Sequence, residues 1–272
     1  MVVMALKATE VRALAGVTSR IAGESAETAM PVFSSIDDNS GEHGAYTRNT
    51  DCWLSDIDLT AFPVYTETHN GGIAITPRHV FFCGHHMPTS GEIRFVTNGD
   101  VVAWATVSDS AKQTNPLGAL TPYDDFGVAL LNEDLPGTIT PVSVMPSNWG
   151  SFLANYYDAD DMLCVWFNQD SKAVVGRIGY FSAGAIGGDN DRTQTVVKPS
   201  NEPQINFWLD AVEGDSSAPS CLVLDGELVL TGALSNGGTN CTGPAFGPNY
   251  DAIAALVSGL GGGHELSPFT LR

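Results

Sequence analysis

From about residue 51 onward the chain alternates short apolar runs with clusters of Gly, Pro, Asn and Asp. Among them are "GGIAITPRHVFFCG", "EIRFVTNGDVVAWATV", "FGVALL", "MLCVWF", "AVVGRIGYFSAG", "INFWLDAV" and "SCLVLDGELVLTGALS". β-Branched and aromatic residues recur in these runs, as they do in strands on a half-buried pleated surface. "FVTNGDVV" carries an Asn-Gly turn between two runs, a hairpin signature. Helical periodicity is almost absent between them, so the spacing predicts an all-β barrel or sandwich. Two segments read differently. Val3, Leu6, Val11, Leu14 and Val17 form one stripe and predict an amphipathic helix over 1–20. "NYDAIAALVSGL" predicts a closing helix, ended by Gly261–Gly263. Residues 21–50 read as a polar connector, and the tail from His264 as loose.

Composition narrows the partners. The chain has 272 residues, ample for a sizeable core, and a formal net charge of −19. That charge argues against nucleic acid or an anionic membrane as partner. No run is long and apolar enough to span a bilayer. Lys7, Glu10 and Arg12 interrupt the opening segment before a signal-peptide core can form, and compartment stays open. The five cysteines are odd in number and fit no metal knuckle. His79, Cys83, His85 and His86 form a cluster in which the first three share one strand face and His86 opposes them. With no second, well-spaced ligand group, no metal is expected there. The acidic loops "DADD" (158–161) and "GGDNDR" (187–192) lack the ligand spacing of a calcium loop. No cofactor is expected.

Chemistry enters at "EGDSSAPSCLVLDG" (213–226), where an acid and two serines precede a strand. A serine hydroxyl is a poor nucleophile at neutral pH; it needs a base, a group orienting that base, and N–H donors for the oxyanion. A nucleophile elbow would use the order Ser, acid, His, with Asp251 and His264 as nominal partners. An elbow must lead into a helix, whereas Pro219 and "SCLVLDGELVL" predict strand and hairpin, so that arrangement is set aside. The other arrangement runs His, Asp, Ser along the chain.

In that order the chain resembles the trypsin/chymotrypsin-like serine proteases. "GDSSAP" resembles "GDSGGP", which puts the nucleophile on Ser216, because the proline falls three residues after it. "GGIAITPRHVFFCGHH" resembles the "GGSLI…WVVSAAHC" segment and puts the histidine on His85. "DDFGVALL" resembles "DIALL" and puts the acid on Asp125, leaving Asp124 outside. His79, six residues before His85, reads as an ordinary satisfied histidine. The match covers about residues 65–257.

The resemblance implies a double six-stranded β-barrel with a C-terminal helix and an N-terminal extension. The parts would be an extension over 1–50, a first barrel over 51–145, a second barrel and helix over 146–260, and a tail over 261–272. It implies a serine endopeptidase acting on protein or peptide through His85, Asp125 and Ser216, with the N–H groups of Gly214 and Ser216 as oxyanion hole. Asp210, six residues before the serine, matches the pocket aspartate of trypsin-like members and implies cleavage after Arg or Lys. Ser235, Asn236 and Gly237 match the wall that pairs with substrate backbone. The departures are in the disulfides and at the N-terminus. Asn70 and His86 together replace one disulfide, and Cys241 faces Val212 where a second would be. Cys164 and Cys221 lie near the two halves of a third. "SRIAGE" (19–24) resembles an activation site whose new amine, at Ile21, would pair with Asp215. The competing expectation, from a different class, is a silent protease-fold binding or structural module, for instance in a virus particle. Oligomeric state is not legible.

Overall fold

The computed structural model describes residues 16–37, 45–64, 71–113, 125–151, 162–181 and 193–270. Before the β-rich region the chain is already structured. Helices α1 (Val17–Ile21) and α2 (Ala26–Ala29) lead into strands β1 (Phe33–Asp37) and β2 (Ala45–Arg48), which pair antiparallel. The polar connector expected over 21–50 is therefore ordered in its described parts. Its strands escape notice because β1 buries only Phe33 and exposes "SSID", leaving no alternating apolar pattern to read. Val17, Ile21, Ala29, Met30, Val32 and Phe33 all join the main core. Residues 1–15 of the predicted N-terminal helix, Asp124 and the loops at 158–161 and 187–192 lie outside the described residues.

Six strands of the first half form an antiparallel sheet: β3 (Pro63–Val64), β4 (Ile73–Thr76), β5 (His79–Phe82), β6 (Gly91–Val96), β7 (Val102–Lys112) and β8 (Gly127–Leu131). Their order is β3-β6-β7-β8-β5-β4. The sheet curls until its edges meet, where the Ala74 N–H donates to Ala61 O at 2.9 Å. Curling in this way satisfies backbone groups that an open edge would leave bare. In the β6–β7 hairpin, the positive φ falls on Asp100 (63°) and the Thr97 N–H bonds Val101 O, so the predicted turn closes one residue later than its Asn-Gly pair.

The second half adds β9 (Ser143–Val144), β10 (Leu163–Phe167), β11 (Ala173–Phe181), β12 (Thr193–Val197), β13 (Pro219–Leu224), β14 (Glu227–Ala233) and β15 (Asn240–Pro244). They form a seven-stranded sheet in the order β15-β12-β11-β10-β13-β14-β9. Beyond β15 the chain returns to β14, where Gly232 bridges Ala245 and the Phe246 N–H donates to Thr231 O at 2.7 Å. β10 and β13 are buried along their whole length, which is why they read as continuous apolar runs rather than alternating ones. Cys164 and Cys221 sit on these neighbouring strands one residue out of register, and all five cysteines are free and buried.

Aromatic contacts join the two sheets. Phe81 meets Phe246 at 5.2 Å between ring centroids, and Phe62 meets Phe167 at 3.9 Å. Phe81 and Phe246 are fully buried; burying each ring contributes about 1.5–3 kcal/mol. Helix α3 (Tyr250–Leu260) seals the molecule with Ile253 and Val257, one turn apart on the same face, and packs on β7 and β8. It ends where Gly261 takes φ 84°. The tail after it is docked rather than loose: Leu266 and Phe269 are buried, Pro268 bridges Val144, and the Phe269 N–H donates to Val144 O.

Two expectations concern stability. The Asn49 side-chain amide donates at 2.8 Å to both Thr28 O and Pro31 O, tying α2 and the segment after it to the loop after β2. Asn49→Ala removes both bonds and is expected to cost about 1–3 kcal/mol in urea unfolding, with faster proteolysis near residues 25–32. His79 has no exposed surface, its Nδ1 lies 2.7 Å from Thr76 Oγ1, and burial lowers its pKa to about 4. The unfolded imidazole takes a proton before the folded one does. Its contribution is complete above about pH 6.5 and is lost as pH falls toward 4. His79→Gln should flatten the stability profile across that window; an unchanged slope would refute the assignment.

Candidate active site

His85 stands on a single 3-10 turn (Gly84–His86) directly after β5, and Asp125 directly precedes β8, the neighbour of β5 in the sheet. The pairing Phe82↔Gly127 brings the two together. The Gly84 N–H donates to Asp125 O at 3.0 Å and the His85 N–H to Asp125 Oδ1 at 2.8 Å. The second carboxylate oxygen, Oδ2, lies 2.5 Å from His85 Nδ1. One carboxylate thus holds both the backbone and the ring of His85. The carboxylate accepts from Nδ1, so Nδ1 carries the proton and Nε2 is left as an acceptor. Nε2 lies 3.1 Å from Ser216 Oγ, on the turn that leads into β13 of the other sheet. The Asp125 side chain retains 7% of its surface and the His85 ring 35%, so the acid is shielded while the base remains open to a visiting molecule.

The turn 212–218 is fixed from several directions. Asp215, buried, accepts from the Gln169 N–H (Oδ1, 2.9 Å) and the Val212 N–H (Oδ2, 2.9 Å). Burial pushes its carboxyl above the usual range, and the two N–H donors oppose that shift. No amine reaches it among the described residues. Ile21 is buried inside α1, beside an Arg20–Asp56 ion pair. Gly214 takes φ +101°, a region costly for any other residue, and a Cβ there would fall 2.3 Å from Gln169 Oε1. The Gln169 side-chain amide donates to Glu213 O at 3.2 Å, holding the carbonyl of the Glu213–Gly214 peptide. Among the described residues, neither the Gly214 nor the Ser216 N–H has an acceptor. N–H groups left without acceptors on the turn that carries the hydroxyl are available to receive an anionic oxygen.

Ser217, where the resembling motif has glycine, stitches the sheets together. It takes φ +70°, its Oγ accepts from the Cys83 N–H at 2.9 Å, its carbonyl from the Gly72 N–H at 2.9 Å, and its N–H donates to Leu234 O at 2.8 Å. Cys83 lies two residues before His85. Its thiol, pushed up to about 12 by burial, donates to Leu234 O and does not act as a thiolate.

The other predicted positions are scattered around this centre. Ser235 approaches Cys83, with Oγ 3.4 Å from Sγ. Asn236 and Gly237 continue past β14, and Asn236 bridges Thr242. Asp210 is exposed, and its carboxylate accepts from the Trp208 indole N–H at 2.8 Å. His86 packs edge-on against the His85 ring at 4.5 Å; burial, then the neighbouring His85, lowers its pKa. His79 faces Thr76, and no group of three His, Cys, Asp or Glu side chains among the described residues is placed to hold a metal ion. Asp251 lies in the first turn of α3, and His264 pairs with Asp134 at 3.0 Å. Gln169 and Ser217 are the site residues that sequence motifs did not single out for a role. Both make hydrogen bonds to groups distant in sequence, which no local pattern records.

No family model matches the chain, and no curated protein sequence matches it.

Ser217 gives a test of the seam. Ser217→Ala leaves the buried Cys83 N–H without its acceptor and should cost about 1–3 kcal/mol. Ser217→Gly loses the same bond but relieves the left-handed backbone, so it should be measurably less destabilising in urea unfolding.

Proposed function

We propose that this chain is a serine endopeptidase of the chymotrypsin-like class, its two curled sheets forming the double barrel of that fold. The observation that carries this reading is the unbroken line from Asp125 Oδ2 through the His85 ring to Ser216 Oγ. Ser216 Oγ attacks a peptide carbonyl and passes its proton to His85 Nε2. The carbonyl oxygen, now an anion, is received by the N–H groups of Gly214 and Ser216. His85 then gives the proton to the departing amine, and water, deprotonated by the same nitrogen, releases the acyl group. Asp125 holds the tautomer throughout and stabilises the imidazolium. No step calls on a metal or cofactor.

The same geometry disfavours the silent-module alternative. The bond from Asp125 to the His85 backbone would serve a structural module equally well, but the alignment of an exposed imidazole with a partly open hydroxyl adds nothing to such a module.

Two variants separate enzyme from module. Ser216→Ala is expected to reduce hydrolysis of a fluorescent peptide library by at least about 10⁴-fold with folding unchanged. Asp125→Asn should lower kcat by about 10⁴-fold with little change in KM, since it disturbs the tautomer rather than binding. Wild-type protein that hydrolyses no member of the library, or Ser216→Ala that retains wild-type turnover, would defeat the reading.

A further inference from the structure

The two segments flanking Ser216 meet main chain to main chain. The Gly238 N–H donates to Ala211 O at 2.8 Å, and the two residues form an antiparallel bridge. Next to it, a Cβ on Gly237 would stand 2.6 Å from Ala211 O and 3.0 Å from Ala211 C. The two backbones therefore touch with no side chain between them. Behind the bridge Cys241 is fully buried, its Sγ 3.4 Å from Gly238 O. Ala211 is itself buried. Main chain thus meets main chain across the two segments, and the carboxylate of Asp210, next to Ala211 in the chain, is exposed and held by the Trp208 indole.

A substrate must lie against this floor. The leaving amine has to collect its proton from His85 Nε2, so it lies on the His85 side of Ser216. With the carbonyl oxygen toward the Gly214 and Ser216 N–H groups, the residue before the cut extends to the opposite side. Its flanks would then be the two segments joined by the bridge, Ala211–Gly214 before the serine and Ser235–Gly237 after Leu234. The flank around Ser235 is held against the serine turn by the Ser217–Leu234 hydrogen bond.

We propose that the residue immediately before the cut is small (Gly, Ala or Ser), because the Ala211–Gly238 bridge closes the floor of its subsite. This inference rests on the hydrolase reading above. It replaces the cleavage after Arg or Lys that the position of Asp210 implied: a long cation needs a slot to reach a carboxylate, and here the walls are in contact. A side chain larger than a methyl or hydroxymethyl group must break the Ala211–Gly238 hydrogen bond or remain outside.

The test uses the full chain and four reagents: a fluorophosphonate without a peptide portion, and three tripeptidyl diphenyl phosphonates differing only in the last side chain (Ala, Phe or Arg). Modification of Ser216 is followed by intact mass. The Ala reagent is expected to react at least about tenfold faster than the Phe and Arg reagents. Phe or Arg reacting as fast as Ala, or an inert Ala reagent, while the fluorophosphonate labels Ser216, overturns this inference and leaves the hydrolase reading intact. A Ser216 that no reagent modifies overturns both.

Discussion

A hydroxyl and an imidazole that belong to different sheets have to be kept 3.1 Å apart, and most of the structure around them serves that constraint. For the proposed proton transfer, a displacement of about 1 Å at this contact would be enough to cost about a hundredfold in rate. The seam at Ser217 is the device nearest to it. Three backbone or hydroxyl hydrogen bonds from one residue reach Cys83 and Gly72 of the first sheet and Leu234 of the second. Since Cys83 lies two residues before His85 and Ser217 directly follows Ser216, the seam fixes their separation through a very short lever. The rings of Phe81 and Phe246 supply the apolar part of the same junction.

A second line of support runs from the N-terminal segment. Met30 O accepts from the Ala173 N–H, the Val32 N–H donates to Ser171 O, and the Trp53 indole donates to Ala173 O. These bonds brace the turn between β10 and β11, and that turn carries Gln169. Gln169 in turn holds the Asp215 carboxylate with its backbone and the Glu213 carbonyl with its side chain. The peptides on either side of Gly214 are thus set by groups internal to the chain. An incoming amine is not needed to satisfy Asp215, because two backbone N–H groups already do.

Much of this was legible in the sequence, for reasons that differ by element. The strands of the β-rich region announce themselves through β-branched runs and turn residues, and α3 through its apolar spacing and terminal glycines. His85, Asp125 and Ser216 could be read because each sits at the edge of a strand with a distinctive local text, and the sheet registers then bring them together. The ordered ribbon β1–β2 was not legible, since only Phe33 and Tyr46 of its side chains are buried, one on each strand, and its anchor to the β6–β7 turn runs through the Arg48 guanidinium. The docked tail was missed because its anchors, Leu266 and Phe269, are two isolated residues in a polar stretch. The roles of Gln169 and Ser217, and the contact between Ala211 and Gly238, depend on main-chain geometry across long sequence separations. Motifs that name side chains cannot carry that information.

The most direct test of the central claim is to mix the protein with a p-nitrophenyl ester, quench within the first turnover, and map the acylated residue by mass spectrometry. A burst approaching one acyl group per chain is expected, located on Ser216 and abolished in His85→Ala. Acylation on another residue, or an undiminished burst in His85→Ala, would contradict it.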